Sequence, residues 1–294
     1  MTNTALNKLV IIGVGLIGGS FALALREAGL VKHIVGIGRS KINMQRAIDQ
    51  GVIDEIADDT ASAMKDANAL LLAMPVGQTT SILAQIAPHL EPETLITDAG
   101  STKQDVISAA RIYIKKNLKN FVPAHPIAGA EQSGVSAAQT NLFQKKHLIL
   151  TPLAETSDDA IKRVTDLWEG CGAQVSQMQA DEHDKILAAT SHLPHILAFT
   201  LMNHLCINTG NNPDNLLRFA GSGFRDFTRI ASSSPEMWRD ICIANREALI
   251  LQIDSYKNEL VCLQKILENG DAQALKKSFT QARSIRQSWL KNKI

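Results

Sequence analysis

Short apolar runs alternate with amphipathic stretches along the first half of the chain. The apolar runs predict buried strands at Lys8–Ile12, His33–Ile37, Ala69–Ala73, Leu95–Asp98 and Phe121–Ala124. Apolar residues at helical spacing predict the helices between them, at Leu16–Ala28, Ile42–Gln50, Thr79–Leu90 and Lys103–Lys116. Strands that alternate with segments of helix length indicate a parallel sheet with helices on both faces.

Two further strands are predicted at Leu148–Leu150 and Gln174–Gln177, with a helix near Asp158–Glu169 between them. We expect these strands to extend the same sheet as extra edge elements.

The second half of the chain has only helical periodicity. It predicts long helices at Asp181–Leu205, Asn245–Glu268 and Ala272–Trp289, and Pro194 should kink or break the first of them. The change of pattern predicts an α/β domain at 1–180 followed by an all-α domain at 181–294.

Composition excludes several classes of function. The chain has 294 residues, 45% hydrophobic and 20% charged, with a formal net charge of +1, so bulk charge favours neither nucleic acid nor a membrane surface. No apolar stretch approaches a bilayer span, and the polar N-terminus lacks a signal-peptide pattern. The four cysteines have neither disulfide nor zinc-site spacing, so we expect free thiols and a cytoplasmic protein.

A glycine-rich loop lies between the first predicted strand and the first helix. It reads Gly13-Val14-Gly15-Leu16-Ile17-Gly18, a GxGxxG motif that opens a strand–helix–strand unit and therefore predicts a dinucleotide-binding Rossmann domain. Gly13 would permit the tight turn, Gly15 would let the backbone approach the pyrophosphate, and Gly18 would let helix and strand pack closely. The first residues of the helix, Leu16 and Ile17, would present backbone N–H groups to the phosphates.

The end of the second strand bears on the choice of cofactor. NAD-binding sheets usually have an acidic residue there that accepts a hydrogen bond from the ribose. This chain has Gly38-Arg39-Ser40 instead. Arg39 and Ser40 are suited to the 2′-phosphate of NADP, so we expect NADP to be preferred, although the loop can also admit NAD.

Three other segments carry candidate chemistry. Ser101 follows one predicted strand and His125 follows another, at the sheet edge where α/β proteins bind ligands. Histidine is the side chain best suited to accept a proton near neutral pH. Arg225 and Arg229 lie one helical turn apart and are suited to a carboxylate-bearing substrate.

Taken together, these segments resemble the prephenate/arogenate (cyclohexadienyl) dehydrogenases of tyrosine biosynthesis. The resemblance runs in order through GVGLIGGS at 13–20, DAGSTK at 98–103, HPIAGAE at 125–131, ATSHLPH at 189–195, GFRDFTRIA at 223–231 and PEMWRD at 235–240. The glycine motif is shared by many dehydrogenases, whereas HPIAG combined with SHLPH and FRDFTR is far more specific.

The resemblance implies oxidative decarboxylation of prephenate, arogenate or both, with hydride transfer to NAD(P). It implies that His125 takes the proton from the ring hydroxyl, and that Ser101 binds the same hydroxyl and orients His125. It implies that Arg229 pairs with a substrate carboxylate, with Arg225 as a second candidate, that His195 contacts the substrate's side chain and that Glu131 lies at the pocket entrance. Dimerisation through the helical domain is implied as well.

Two other functions remain open at this point. One is a different Rossmann hydroxyacid dehydrogenase with a helical second domain, for which Lys185 is the comparable acid/base candidate. The other is a non-catalytic NADP-sensing protein. We expect no metal, because Pro194 interrupts the spacing of His192 and His195 and the chain has no HExxH motif.

Overall fold

The computed structural model describes residues 5–130, 132–208 and 214–291. Its contacts divide the chain into two compact units, Met1–Arg246 and Glu247–Ile294. These units are defined by contacts alone. The division of the chain near residue 180 into a cofactor-binding and a helical domain stays a prediction.

A six-stranded parallel sheet forms the centre of the first unit, in the order β3-β2-β1-β4-β5-β6. Its strands are β1 (Leu6–Ile12), β2 (Val31–Ile37), β3 (Glu55–Ile56), β4 (Ala69–Leu72), β5 (Leu95–Asp98) and β6 (Phe121–Val122). The connecting helices are α1 (Leu16–Glu27), α2 (Lys41–Asp49), α3 (Thr60–Met64), α4 (Thr79–Ile86) and α5 (Gln104–Tyr113). Separate apolar clusters on the two faces of the sheet form the core. The predicted α/β architecture is confirmed.

Three strands lie outside this sheet, where the sequence predicts an extension of it. β7 (Ala124–Pro126), β8 (His147–Leu150) and β9 (Gln174–Gln177) form a second sheet, and α6 (Asp158–Gly170) connects its last two strands. The expectation of edge strands on one sheet is therefore wrong. Two features after β6 explain the departure: Pro123 has no amide hydrogen, and the Ala124 amide donates to the Asp98 carboxylate (3.0 Å) rather than to a strand. The chain thus leaves the parallel ladder after Val122.

The remaining described elements are helical, as predicted. They are α7 (Ala180–Leu187), α8 (Leu193–Asn208), α9 (Asp214–Leu217), α10 (Ser222–Thr228), α11 (Pro235–Ala244), α12 (Arg246–Glu268) and α13 (Ala272–Lys291). A π-helical turn, Ala188–His192, separates α7 from α8 just before Pro194, where the sequence predicts a break. Proline has no N–H for the carbonyl four residues earlier, so the helical hydrogen-bond pattern changes there.

The second unit consists of α13 and nearly all of α12. Gly270 joins them at φ +61°, and the Asp271 side chain accepts the Ala274 amide (2.9 Å) at the start of α13. Large apolar side chains are exposed along both helices: Ile250, Leu251, Leu260, Val261, Leu267, Phe279, Ile285, Trp289 and Leu290.

No helix in the described part of the chain is long and apolar enough to cross a membrane. The four cysteines, which all lie in that part, are free thiols.

Candidate active site

The glycine-rich loop adopts the shape that the motif predicts. Gly13 has φ +99°, and a Cβ there would lie 2.6 Å from the backbone of Ala73. A Cβ on Gly18 would lie 2.4 Å from the Gly13 carbonyl oxygen, whereas one on Gly15 would meet nothing within 4 Å. Gly15 is the N-cap residue of α1, whose first turn contains no acidic side chain. The open space and the positive end of this helix suit the pyrophosphate of a dinucleotide.

The end of β2 supplies both of its predicted side chains, Arg39 and Ser40. The Ser40 hydroxyl caps α2 by accepting the Asn43 amide (3.2 Å). Arg39 is exposed, and its guanidinium lies 3.7 Å from the carboxylate of Glu236 at the start of α11. Sequence reasoning did not single out Glu236.

A buried ion pair fixes the strand that carries His125. Asp98, at the end of β5, pairs with the Nζ atom of Lys103, and both side chains are almost wholly buried. The Asp98 carboxylate also accepts the amides of Gly100 (2.8 Å) and Ala124 (3.0 Å). Lys103 Nζ donates to the Ala124 carbonyl (2.7 Å). The pair therefore holds both backbone polar groups of the residue before His125.

His125, His183 and Asp184 form a row of buried hydrogen bonds, called the His125 row below. Its Nδ1 atom lies 2.8 Å from Nε2 of His183, and Nδ1 of His183 lies 2.8 Å from the Asp184 carboxylate. Since a carboxylate only accepts, His183 must donate from Nδ1, and the Nε2 atom of a neutral His183 ring then accepts from Nδ1–H of His125. A lone pair then remains on Nε2 of His125, the arrangement required of a general base.

The Asp184 carboxylate also binds the segment that contains Ser101. Its two oxygens accept the amides of Lys103 and Gln104, each at 2.9 Å, at the start of α5. Burial alone would raise the pKa of Asp184, but hydrogen bonds from His183 and these amides lower it below the usual value. One ionised side chain of α7 thus connects the Ser101 segment to the His125 row.

Burial also controls the charge of His125. Desolvation lowers its pKa well below the usual value, and the neighbouring His183, Lys103 and His192 lower it further. The imidazole is therefore neutral at pH 7 and able to accept a proton.

His195 lies on α8 against Trp238 of α11. The two rings stack with centroids 3.7 Å apart, and Nδ1 of His195 donates to the Ser191 carbonyl (2.9 Å). Burial lowers the pKa of His195, and so does the positive charge of Arg229. Arg229 begins the 3₁₀ turn Arg229–Ser232 after α10, so the structure brings these two predicted substrate-binding residues into one electrostatic neighbourhood.

Asn245 lies between Asp184 and His192. Its side-chain amide donates to the Asp184 carbonyl (2.7 Å) and lies 3.1 Å from Nδ1 of His192. Burial lowers the pKa of His192 to about 4. Nε2 of His192 is buried and has no hydrogen-bond partner among the described residues.

The other two predicted substrate-binding residues, Arg225 and Glu131, are not among the buried contacts described above. Arg225 is exposed on α10, one turn before Arg229. Glu131 lies outside the described residues.

Comparison with known proteins matches nearly the whole chain to one family. Residues 21–177 match the model of the prephenate dehydrogenase nucleotide-binding domain, and residues 179–281 match that of the prephenate dehydrogenase dimerization domain. The chain belongs to the prephenate dehydrogenase family. The resemblance in the sequence motifs is confirmed, as is the fold of a Rossmann-type domain followed by helices.

Individual members of the family resemble the chain along its length. Prephenate dehydrogenase of Bacillus subtilis is 39% identical over 97% of this chain and 76% of its own. Cyclohexadienyl dehydrogenase of Zymomonas mobilis is 34% identical over 96% of both chains. A crystal structure of Aquifex aeolicus prephenate dehydrogenase with hydroxyphenyl propionate and NAD+ superposes with a TM-score of 0.89 at 34% identity. It covers 96% of this chain and 98% of its own. The chain is thus a dehydrogenase with a nicotinamide cofactor.

Several site residues escaped the sequence interpretation. Lys103 lies within the DAGSTK segment, but the sequence pattern gives it no role, and the same holds for His183. Asp184, Trp238 and Asn245 were not considered. The sequence does offer a signal for His183 and Asp184, which are adjacent ionisable residues at the start of the helical half. If both are buried, as the structure shows, each must have a hydrogen-bond or charge partner.

The buried ion pair makes a stability prediction. Lys103→Met removes the cation and leaves the Asp98 carboxylate unpaired and buried, so the free energy of unfolding should fall by about 3–5 kcal/mol. Urea denaturation measures this difference. Lys119→Met is the matched control, because Lys119 pairs with Glu93 on the surface and should change stability by less than about 1 kcal/mol. Equal stability of the two variants would contradict the structural role of the pair.

Proposed function

We propose that this chain oxidatively decarboxylates prephenate, arogenate or both, and so serves tyrosine biosynthesis. Prephenate would give 4-hydroxyphenylpyruvate and arogenate would give tyrosine, each with one CO2 and one NAD(P)H. The observation that carries the proposal is the buried row from Asp184 to His125, which leaves a basic nitrogen on a neutral imidazole. The names of the relatives support the choice of substrate.

The glycine loop is the proposed cofactor site. The residues that would hold the pyrophosphate are Gly13, Gly15, Leu16, Ile17 and Gly18. The oxidised nicotinamide supplies the hydride acceptor when the cofactor is bound. Arg39 and Ser40 would bind the 2′-phosphate of NADP, which is the basis for proposing a preference for NADP over NAD.

His125 is the proposed general base. Its Nε2 atom would accept the proton of the ring hydroxyl as the hydride leaves the same carbon, so that a carbonyl forms there. The ring carboxylate then leaves as CO2, and its bonding electrons complete the aromatic ring. The carbonyl oxygen would take the proton back from His125 and become the hydroxyl of a phenol. Ser101 would bind the same oxygen. The positive charge that His125 gains would be stabilised through His183 by the carboxylate of Asp184.

Arg229 is the proposed partner of a substrate carboxylate. His195, which lies within its electrostatic influence, would contact the substrate's side chain. Arg225 and Glu131 are proposed as supporting contacts, the latter at the pocket entrance. The competing hydroxyacid-dehydrogenase mechanism has less support, because Lys185 is exposed and paired with Asp181 (2.8 Å).

We also propose that the two parts of the chain have different functions. Residues 1–180 would bind the cofactor, and 181–294 would supply substrate contacts and the interface of a homodimer. The name of the second family model and the apolar side chains exposed on α12 and α13 support that interface. The free thiols support a reducing, cytoplasmic setting.

Steady-state kinetics with both substrates and both cofactors test the proposal. Purified protein should convert prephenate or arogenate with formation of NADH or NADPH. His125→Asn should lower kcat by about 10²–10⁴-fold and leave cofactor binding intact. The control is His33→Asn, which alters an exposed histidine. Near-normal turnover by His125→Asn would overturn the assignment of the base.

The pH dependence gives an independent check on His125. Since its pKa is lowered, the base stays unprotonated as the pH falls from 8 to about 6.5, the usual histidine value. Wild-type kcat/KM should therefore stay level over this range and decline only in more acidic solution. A decline centred at pH 6.5–7 that persists in His195→Asn and His192→Asn would contradict the lowered pKa of His125.

Arg229 makes a separate prediction about substrate affinity. Arg229→Ala should raise the substrate KM by at least about tenfold with a smaller effect on kcat, because a charge-assisted pair contributes roughly 1.5–3 kcal/mol. Arg229→Lys should restore only part, since lysine lacks the planar two-point contact. If Arg225→Ala gave the large KM effect instead, the roles of the two arginines would be exchanged.

A further inference from the structure

The contact between Arg39 and Glu236 joins two distant parts of the sequence at the cofactor end of the sheet. Arg39 follows β2 directly, and Glu236 lies in the first turn of α11. The guanidinium and carboxylate are 3.7 Å apart, with exposed side-chain fractions of 71% and 51%. Arg239, three residues after Glu236, is held by Asp240 at 2.6 Å.

A packed helix holds the Glu236 carboxylate in this place. Ser234 caps α11 by accepting the Met237 amide (3.3 Å), and Pro235 occupies the first turn. Trp238 is 93% buried against His195, two residues after Glu236. The carboxylate is therefore carried to the end of β2 by the same helix that packs against the proposed substrate site.

This position supplies what β2 itself lacks. In NAD-binding sheets a carboxylate near the end of the second strand accepts a hydrogen bond from the ribose 2′-hydroxyl. Gly38-Arg39-Ser40 contains no acid, and Glu236 brings one to the guanidinium that would otherwise be available to a 2′-phosphate. One carboxylate can thus favour the hydroxyl and occupy the arginine that a 2′-phosphate would need.

We propose that Glu236 is the residue that sets the selectivity of this enzyme between NAD and NADP. The inference rests on the proposed function of the glycine loop and Arg39 as the cofactor site. With NAD bound, Glu236 accepts the ribose 2′-hydroxyl and keeps its contact with Arg39. With NADP bound, the 2′-phosphate takes Arg39 and the Glu236 contact is lost. The preference for NADP is consequently smaller than Arg39 alone would produce.

The exposure of the pair sets the size of the effect. Exposed ion pairs are worth at most about 1 kcal/mol, which corresponds to about fivefold in a dissociation constant. Phosphate can therefore displace the carboxylate. Glu236→Gln should tighten NADP binding by up to about fivefold and weaken NAD binding by about twofold, so that the ratio of the two dissociation constants shifts by up to about tenfold.

Isothermal titration calorimetry of the full chain with NAD and with NADP, without substrate, measures both constants directly. Glu155→Gln is the matched control, because Glu155 forms a comparable exposed pair with Arg111 (3.1 Å) and should leave the ratio unchanged. Arg39→Ala should weaken NADP and spare NAD. In the Arg39→Ala background, Glu236→Gln should lose most of its effect on NADP.

The outcomes separate this inference from the proposed function. If both nucleotides bind but Glu236→Gln leaves their ratio within twofold of wild type, the role of Glu236 is wrong and the cofactor site stands. An unchanged effect of Glu236→Gln in the Arg39→Ala background would also overturn the competition for Arg39. If neither nucleotide binds the wild-type chain, both the proposed function and this inference fail.

Discussion

The buried ion pair between Asp98 and Lys103 is the constraint on which the site depends. A carboxylate and an ammonium group can remain charged in an apolar core only if their remaining hydrogen bonds are made. Here the backbone of Ala124 and the amide of Gly100 make them. The same contacts draw the chain out of the parallel sheet at Pro123, so the need to satisfy a buried charge determines where His125 lies.

A second buried carboxylate, that of Asp184, connects the helical segment to the residues that follow the sheet strands. Asp184 caps α5 and orients His183, and His183 in turn orients His125. The resulting tautomer follows from the inability of a carboxylate to donate a hydrogen bond. Desolvation acts in the same direction, because burial disfavours the imidazolium form. Hydrogen bonding and burial therefore cooperate to leave one unprotonated nitrogen on His125.

Much of this fold could be predicted because its signals are local. Apolar runs and helical spacing indicate β1, α1, β5 and α13 closely, and the glycine loop requires only neighbouring residues. The second sheet could not be predicted, since it depends on a hydrogen bond from the Ala124 amide to the side chain of Asp98. Likewise Lys103 and Asp184 meet across 81 residues, and the contact of Arg39 with Glu236 spans more of the chain still. Contacts between residues so far apart in the sequence produce no periodic pattern of apolar and polar residues, so the sequence alone does not indicate them.

In this site, Asp184 and His183 hold His125 as a neutral base with its lone pair on Nε2. Nitrogen-15 NMR of histidine-labelled protein tests this most directly, with His125→Asn used to assign the signals. At pH 7 we expect a neutral His125 ring that carries its proton on Nδ1. A proton on Nε2 of the neutral ring, or an imidazolium at that pH, would contradict it.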